Sequence, residues 1–229
     1  MQRSSNLWRA AHAGVAAHSE VVHVGAAGLP GDLEVPADAV GLVLFAHGSG
    51  SSRLSRRNRD VAAVLQAHHL ATLLFDLLSE PEAADRANVF DIALLGTRVV
   101  QAIDWVDRRP DLAGLHTGLF GASTGAAAAL VAAAARPGRV GAVVSRGGRP
   151  DLAGDALARV AAPTLLIVGG ADTQVLALNR DAMRRLTCNK RLEVVPGATH
   201  LFEEPGALGG VAELAAGWFE THLSGGRHR

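Results

Sequence analysis

The sequence predicts an α/β fold with a mostly parallel sheet of eight strands and helices on both faces, and three observations carry that prediction. Short apolar runs alternate with longer segments of helical character as far as the C-terminus. The later runs are apolar at nearly every position, as strands covered on both faces should be. No repeat, low-complexity linker or break in composition divides the chain, so one domain is expected over residues 20–229.

Ahead of that domain, residues 1–19 carry Arg3 and Arg9 and no acid, without the continuous apolar core of a secretory signal. They are expected to form an N-terminal arm. Weak strands follow at 20–25 and 31–36, separated by Gly28-Leu29-Pro30-Gly31, a turn signal of the hairpin kind. Stronger strands read at 40–47, 71–78, 117–122, 140–145, 163–170 and 191–197. Helices are expected at 56–69, 90–108, 124–135, 175–186 and 208–223. In the second of these, Ile92, Leu95, Val99, Ile103 and Val106 recur at spacings of three and four and mark one face. The third stops at Arg136-Pro137-Gly138, which cannot continue a helix.

Composition narrows the function classes. Apolar residues make up 48% of the 229, which suits a packed core. Lys+Arg and Asp+Glu balance at 22 each, so nothing draws the chain toward nucleic acid or a membrane surface. The single cysteine, Cys188, allows no intrachain disulfide, and a cytoplasmic location is expected.

Ligands of parallel α/β sheets bind outside the carboxyl ends of the strands. There the chain places HGSGSSR (47–53), GASTG (121–125), SRGGRPD (145–151), GGADTQ (169–174) and GATHLF (197–202). A GxSxG pattern alone arises by chance about 0.14 times in a chain of this composition. Its context is what counts: a buried-strand pattern before it and a small-residue helix after it, the setting of a nucleophile elbow. Gly121 and Gly125 would remove side chains that collide in so sharp a turn, leaving Ser123 as the nucleophile.

A serine needs a base. His12, His18 and His23 are N-terminal, and His68 and His69 fall in or at the end of a helix. His116 enters its strand at the wrong end of the sheet, and His222 and His228 lie in the tail. His200 follows the last strand at the crevice edge and is the expected general base. Asp172, one loop earlier, is the favoured carboxylate, with Asp151 its rival. For the oxyanion, the backbone N–H of Thr124 is one donor, with Ser49 N–H the first choice and Gly48 the second for the other. Gly48-Ser49-Gly50 lacks the third glycine of a dinucleotide loop. Arg53, Arg56, Arg57 and Arg146 flank the crevice. Arg53 and Arg146 are taken as substrate-binding candidates for a carboxylate or phosphate, and Arg146 is the strongest because it directly follows a strand's carboxyl end. Ion pairs to residues such as Asp60 are the alternative role for these arginines.

Over residues 20–223 these motifs resemble the α/β-hydrolase superfamily. FAHGSGSSRLSRRNRDVA, FGASTGAAAAL, VVSRGGRPDLAG, LLIVGGADTQV and VPGATHLFEEPG together resemble its small, lidless dienelactone hydrolase-like group. Some members of that group are fused to or neighbour phosphoribosyltransferase domains; within these 229 residues no such fusion is expected. Dienelactone hydrolases proper are associated with a cysteine nucleophile and a glutamate in the loop that HGSGSS occupies here. The resemblance therefore implies the fold and a serine-nucleophile triad, not dienelactone as substrate. With only residues 146–162 between strands six and seven there is space for one short helix and no cap domain, so an open, shallow site is expected.

The activity expected is hydrolysis of small-molecule carboxylic esters through an acyl-enzyme, with no metal or organic cofactor and no nucleic-acid or membrane partner. The same triad would serve a thioesterase, peptidase or acyltransferase. An idle fold used only for binding would have no reason to retain the set.

Overall fold

The first two strands, β1 (His18–Val24) and β2 (Leu29–Val35), form an antiparallel hairpin. The computed structural model describes residues 17–224; residues 1–16, most of the expected arm, and His228 lie outside them. His18 and Ser19, assigned to that arm by sequence, already belong to β1. The turn is also earlier than predicted. It occupies residues 25–28, with Gly25 and Gly28 both at positive φ, and Leu29-Pro30-Gly31 runs in β2. Pro30 is tolerated there because its carbonyl, not the missing N–H, is used: it accepts from Asp76 N–H at 2.9 Å.

The chain continues through β3 (Gly41–Ala46), α1 (Arg56–Ala67), β4 (Leu70–Phe75), α2 (Glu80–Ala84), α3 (Arg86–Phe90), α4 (Ile92–Val106), β5 (Thr117–Ala122) and α5 (Thr124–Ala135). It ends with β6 (Val140–Arg146), β7 (Thr164–Gly169), α6 (Thr173–Arg185), β8 (Lys190–Val195) and α7 (Ala207–Leu223). The eight strands form one sheet in the order β1-β2-β4-β3-β5-β6-β7-β8. β2 pairs antiparallel with both neighbours, and every other pairing is parallel. Every residue of β3, β4, β5 and β7 is buried, the continuous apolar runs finding helices on both sides. β8 is the edge and stays half-exposed.

One face of the sheet packs against α4 and α5 through Leu95, Val99, Ile103 and the alanines of α5. The other packs against α1 and α7 through Val61, Leu65, Val211 and Phe219. Here α7 lies almost on the backbone. A Cβ on Gly118 would fall 2.6 Å from Phe219 Cε1, and one on Gly41 or Gly141 within 2.8 Å of Leu223. Three neighbouring strands thus present bare backbone to the last helix.

Two short helices depart from the expected element list. α2 carries a capping box, in which Ser79 and Glu82 satisfy each other's backbone N–H groups. Asp85 then caps α3 and Asp91 caps α4, so the helix predicted from residue 90 starts at Ile92. Five-residue helices are too short to show a period, and only the Ser79-x-x-Glu82 spacing signals them. Between β6 and β7 there is a 3-10 segment (Pro150–Arg159) and no cap domain. No helix among the described residues is long and apolar enough to cross a membrane.

Candidate active site

Ser123 stands between β5 and α5 with φ 51 and ψ −121, a conformation that costs a non-glycine residue about 1–3 kcal/mol. Its neighbours impose it. Ser123 N–H donates to Arg146 O at 3.3 Å, while its carbonyl accepts from Ala126 N–H at 3.1 Å and Arg149 N–H at 3.0 Å. The flanking glycines are there for space. A Cβ on Gly121 would lie 2.4 Å from Ala126 Cα, and one on Gly125 2.1 Å from Ala46 O. This is the collision that the sequence pattern anticipated.

His200 Nδ1 lies 2.7 Å from Asp172 Oδ2. An ionised carboxylate only accepts, so Nδ1 carries the proton and Nε2 is left as the basic nitrogen. Asp172 is also held from its other side, because it is the N-cap of α6 and its Oδ1 accepts from Val175 N–H at 3.4 Å. Asp151 is engaged elsewhere, in a bidentate pair with Arg149 at 2.9 and 2.8 Å.

The Arg146–Gly147 peptide joins the two halves of the site. Arg146 O holds Ser123 N–H, and a Cβ on Gly147 would lie 3.6 Å from His200 Cε1. No hydrogen bond links Ser123 Oγ to His200 among the described residues; such contacts commonly tighten only when substrate binds.

On the other side of Ser123, a Cβ on Gly48 would sit 3.0 Å from Ser123 Cβ, so the 47–53 loop crosses directly over the elbow. Thr124 N–H is left without a backbone partner among the described residues, as the first amide of α5. Ser49 N–H is not free: it donates to Thr124 Oγ1 at 2.9 Å. The carbonyl of that same peptide, Gly48 O, accepts from Ser51 N–H and from His47 Nδ1 at 3.0 Å. Leu77 N–H donates to His47 Nε2 at 3.0 Å, which places the imidazole proton on Nδ1. Burial pushes the His47 pKa down and keeps the ring neutral. Sequence reasoning misses His47, whose only signal is a His-Gly pair at the end of a buried strand.

A cleft of about 630 Å³ opens beside this loop, lined by Ser49, Arg53, Leu77, Glu80, Val89 and Leu95 among others. One wall therefore comes from α2, α3 and the start of α4. No cap domain covers the site, and the segment after β4 folds up beside the 47–53 loop. Arg53 lines this cleft as a paired cation, 3.1 Å from Asp76 and 3.5 Å from Asp32. Arg56 is exposed, and Arg57 faces Glu203 at 3.5 Å, so neither takes Asp60 as partner. Arg146 is 7% exposed, and among the described residues its guanidinium has one hydrogen bond, to Asn58 Oδ1 at 3.4 Å. Cys188 lies in the turn after α6, its Sγ 3.7 Å from Thr164 Oγ1.

The family model for the dienelactone hydrolase family matches residues 76–222, a span that holds the elbow, Asp172 and His200. The chain belongs to the dienelactone hydrolase family. A dienelactone hydrolase from Anabaena variabilis is 57% identical, with a TM-score of 0.86 covering 91% of this chain and 98% of that one. Est1E from Butyrivibrio proteoclasticus shares the fold at 15% identity, with a TM-score of 0.72 over 89% of this chain and 98% of its own. A Mycobacterium tuberculosis protein named as a putative phosphoribosyl transferase is 58% identical over 208 residues, which is 90% of this chain and 47% of that protein. The chain thus spans about half the length of the curated relatives it matches. By family and fold the chain has the architecture of the α/β-hydrolase superfamily, with a serine at the elbow.

Proposed function

We propose that this hydrolase cleaves carboxylic esters of small acyl substrates through an acyl-enzyme formed on Ser123. The observation that carries the reading is the 2.7 Å bond between His200 Nδ1 and Asp172, at the sheet edge where the Arg146–Gly147 peptide links His200 to the strained Ser123 elbow. Ser123 Oγ attacks the ester carbonyl as His200 Nε2 takes its proton, and Asp172 stabilises the imidazolium. The negative oxygen of the tetrahedral species is met by Thr124 N–H and by Ser49 N–H, which the Thr124 hydroxyl releases by rotating about χ1. His200 then gives the proton to the departing alcohol. Water, activated by the same imidazole, attacks the acyl-enzyme and frees the acid and Ser123. The acyl chain lies in the cleft beside the 47–53 loop, whose Leu77, Val89 and Leu95 suit short apolar groups.

The test is a panel of p-nitrophenyl esters of rising acyl length with wild type and Ser123→Ala. Wild type should turn over the short members, and Ser123→Ala should lose at least about 10³-fold in kcat. Equal rates for the two proteins across the panel would sink the reading.

A further inference from the structure

Asn179 lies on the second turn of α6, 0% exposed, on the buried face it shares with Leu176 and Ala182. An apolar side chain would pack there without cost, and asparagine is a poor helix former. Its Oδ1 is sealed from solvent with no hydrogen-bond partner among the described residues, which is unfavourable. What the residue contributes therefore lies in the other half of the amide.

Both protons of Nδ2 are engaged. One goes to Val175 O at 2.8 Å, one turn back in the same helix, and the other to Gly148 O at 2.9 Å, in the loop after β6. Gly148 O and Arg149 N–H are the two ends of a single peptide unit, and Arg149 N–H donates to Ser123 O at 3.0 Å. The Arg146–Gly147 peptide holds the other side of the nucleophile. Its carbonyl accepts from Ser123 N–H at 3.3 Å, and its own N–H is anchored on Ile167 O at 2.8 Å. Each of the two peptides that clamp Ser123 is thus gripped from behind, one by the sheet and the other by Asn179.

The second grip falls where the backbone resists least. Gly147 has φ 50, and Gly148 follows with no space for a side chain, since its Cβ would lie 2.0 Å from Ser145 Oγ. A peptide that follows two glycines rotates with little steric opposition. Rotation would carry Arg149 N–H off Ser123 O and let the positive φ of Ser123 relax. The far end of the tether is the acid: Asp172 caps α6, its Oδ1 accepting from Val175 N–H at 3.4 Å, and Val175 O is the second acceptor of Asn179.

We infer that Asn179 is a positioning residue, whose amide locks the Gly148–Arg149 peptide onto the Ser123 carbonyl and so keeps the strained nucleophile in register with Asp172 and His200. This rests on the ester-hydrolase reading above, in which Ser123 is the nucleophile.

The experiment compares wild type with Asn179→Leu, which keeps the bulk but has no donor, and with Asn179→Ala. Three quantities are read on folded protein. They are the rate of Ser123 labelling by a fluorophosphonate, kcat and KM for p-nitrophenyl acetate across pH, and hydrogen exchange at single amides. In both variants labelling and kcat should fall together by about 10- to 100-fold, with KM changed less than about twofold. The acid limb of the kcat/KM profile, set by the His200 imidazole, should stay at its wild-type position. Exchange at Arg149 N–H should quicken about tenfold or more, while Gly147 N–H, held by Ile167 O, keeps its wild-type rate.

A merely structural Asn179 would lower the urea midpoint and leave labelling and kcat of the folded protein at wild-type values, and that result overturns the proposal. So does an acid limb that shifts while labelling holds, because the amide would then act on Asp172 and His200 alone. Alanine favours a helix and leaves space instead of strain, so Asn179→Ala decides the matter if the leucine variant does not fold. If wild type is labelled but turns over no ester, the ester reading falls, and labelling with exchange still judges Asn179. If it is not labelled either, exchange decides alone, and equal Arg149 rates in wild type and variant reject the tether.

Discussion

The two halves of the site are held in place by different physics. On the nucleophile side, Ser123 is fixed by backbone: a positive φ, three main-chain hydrogen bonds, and glycines that let Ala46 O and Ala126 approach within 2.4 Å of where a Cβ would be. On the side proposed for acid–base chemistry, His200 is fixed by one side-chain bond to an aspartate that is itself a helix cap. The first arrangement is rigid and intolerant of added atoms. The second is cheap to build and depends on the chemistry of a single carboxylate. The difference predicts that mutations of the glycines flanking Ser123 act chiefly on stability, and mutations of the proposed acid–base pair chiefly on rate.

Asp172→Asn should break the second half most sharply. Asparagine is as good an N-cap as aspartate, so α6 stays in place, but the imidazole loses its charged partner and its tautomer. A kcat loss of about 10⁴-fold with a nearly unchanged urea midpoint is expected. Gly125→Ala should break the first half, since the new methyl meets the Ala46 and His47 carbonyls and no side chain can yield. Its expected cost is about 3 kcal/mol or more, read as a lower urea midpoint. Asp172→Ala sharpens the contrast by removing cap and charge together, adding about 1 kcal/mol of lost stability to the rate defect of the asparagine variant.

The smallest effect lies away from the site and serves as the control. The His68 pKa is raised by its hydrogen bond to Glu220, with Glu213 assisting, which ties the end of α1 to α7. A raised pKa means stability fully present below about pH 6.5 and lost as pH climbs through the folded-state value. With both glutamates largely exposed, the contribution is below about 0.5 kcal/mol. Urea midpoints of wild type and His68→Gln should converge at alkaline pH, and a gap that widens there would contradict the assignment.

The parts of this molecule that the sequence revealed are those with a repeating or a local signature. β5 and α5 fall on the predicted residues, because an unbroken apolar run meets GASTG and a helix that is small and apolar all round. Asp172 and His200 stood out as candidates because each follows the carboxyl end of a strand, β7 or β8, at the same sheet edge, and the two are hydrogen-bonded. The β1–β2 turn was misplaced because Leu29-Pro30-Gly31 reads locally as a turn, whereas the pairing of Pro30 O with Asp76 is a long-range contact. The same limit hid the Arg53–Asp76 pair, the bond from Ser49 to Thr124, and the isolation of Arg146. Each depends on which loops meet, and a linear sequence does not give that.

The glycine strip beneath α7 bears on how the protein is born. Gly41, Gly118 and Gly141 lie on β3, β5 and β6, and their cover is a 17-residue helix that leaves the ribosome after every strand has been made. Until then, the centre of the sheet offers an apolar trough ready to take any passing helix. A chain whose α7 has not yet been made exposes the seat of Phe219 and Leu223, apolar surface of the kind that chaperones and neighbouring nascent chains bind.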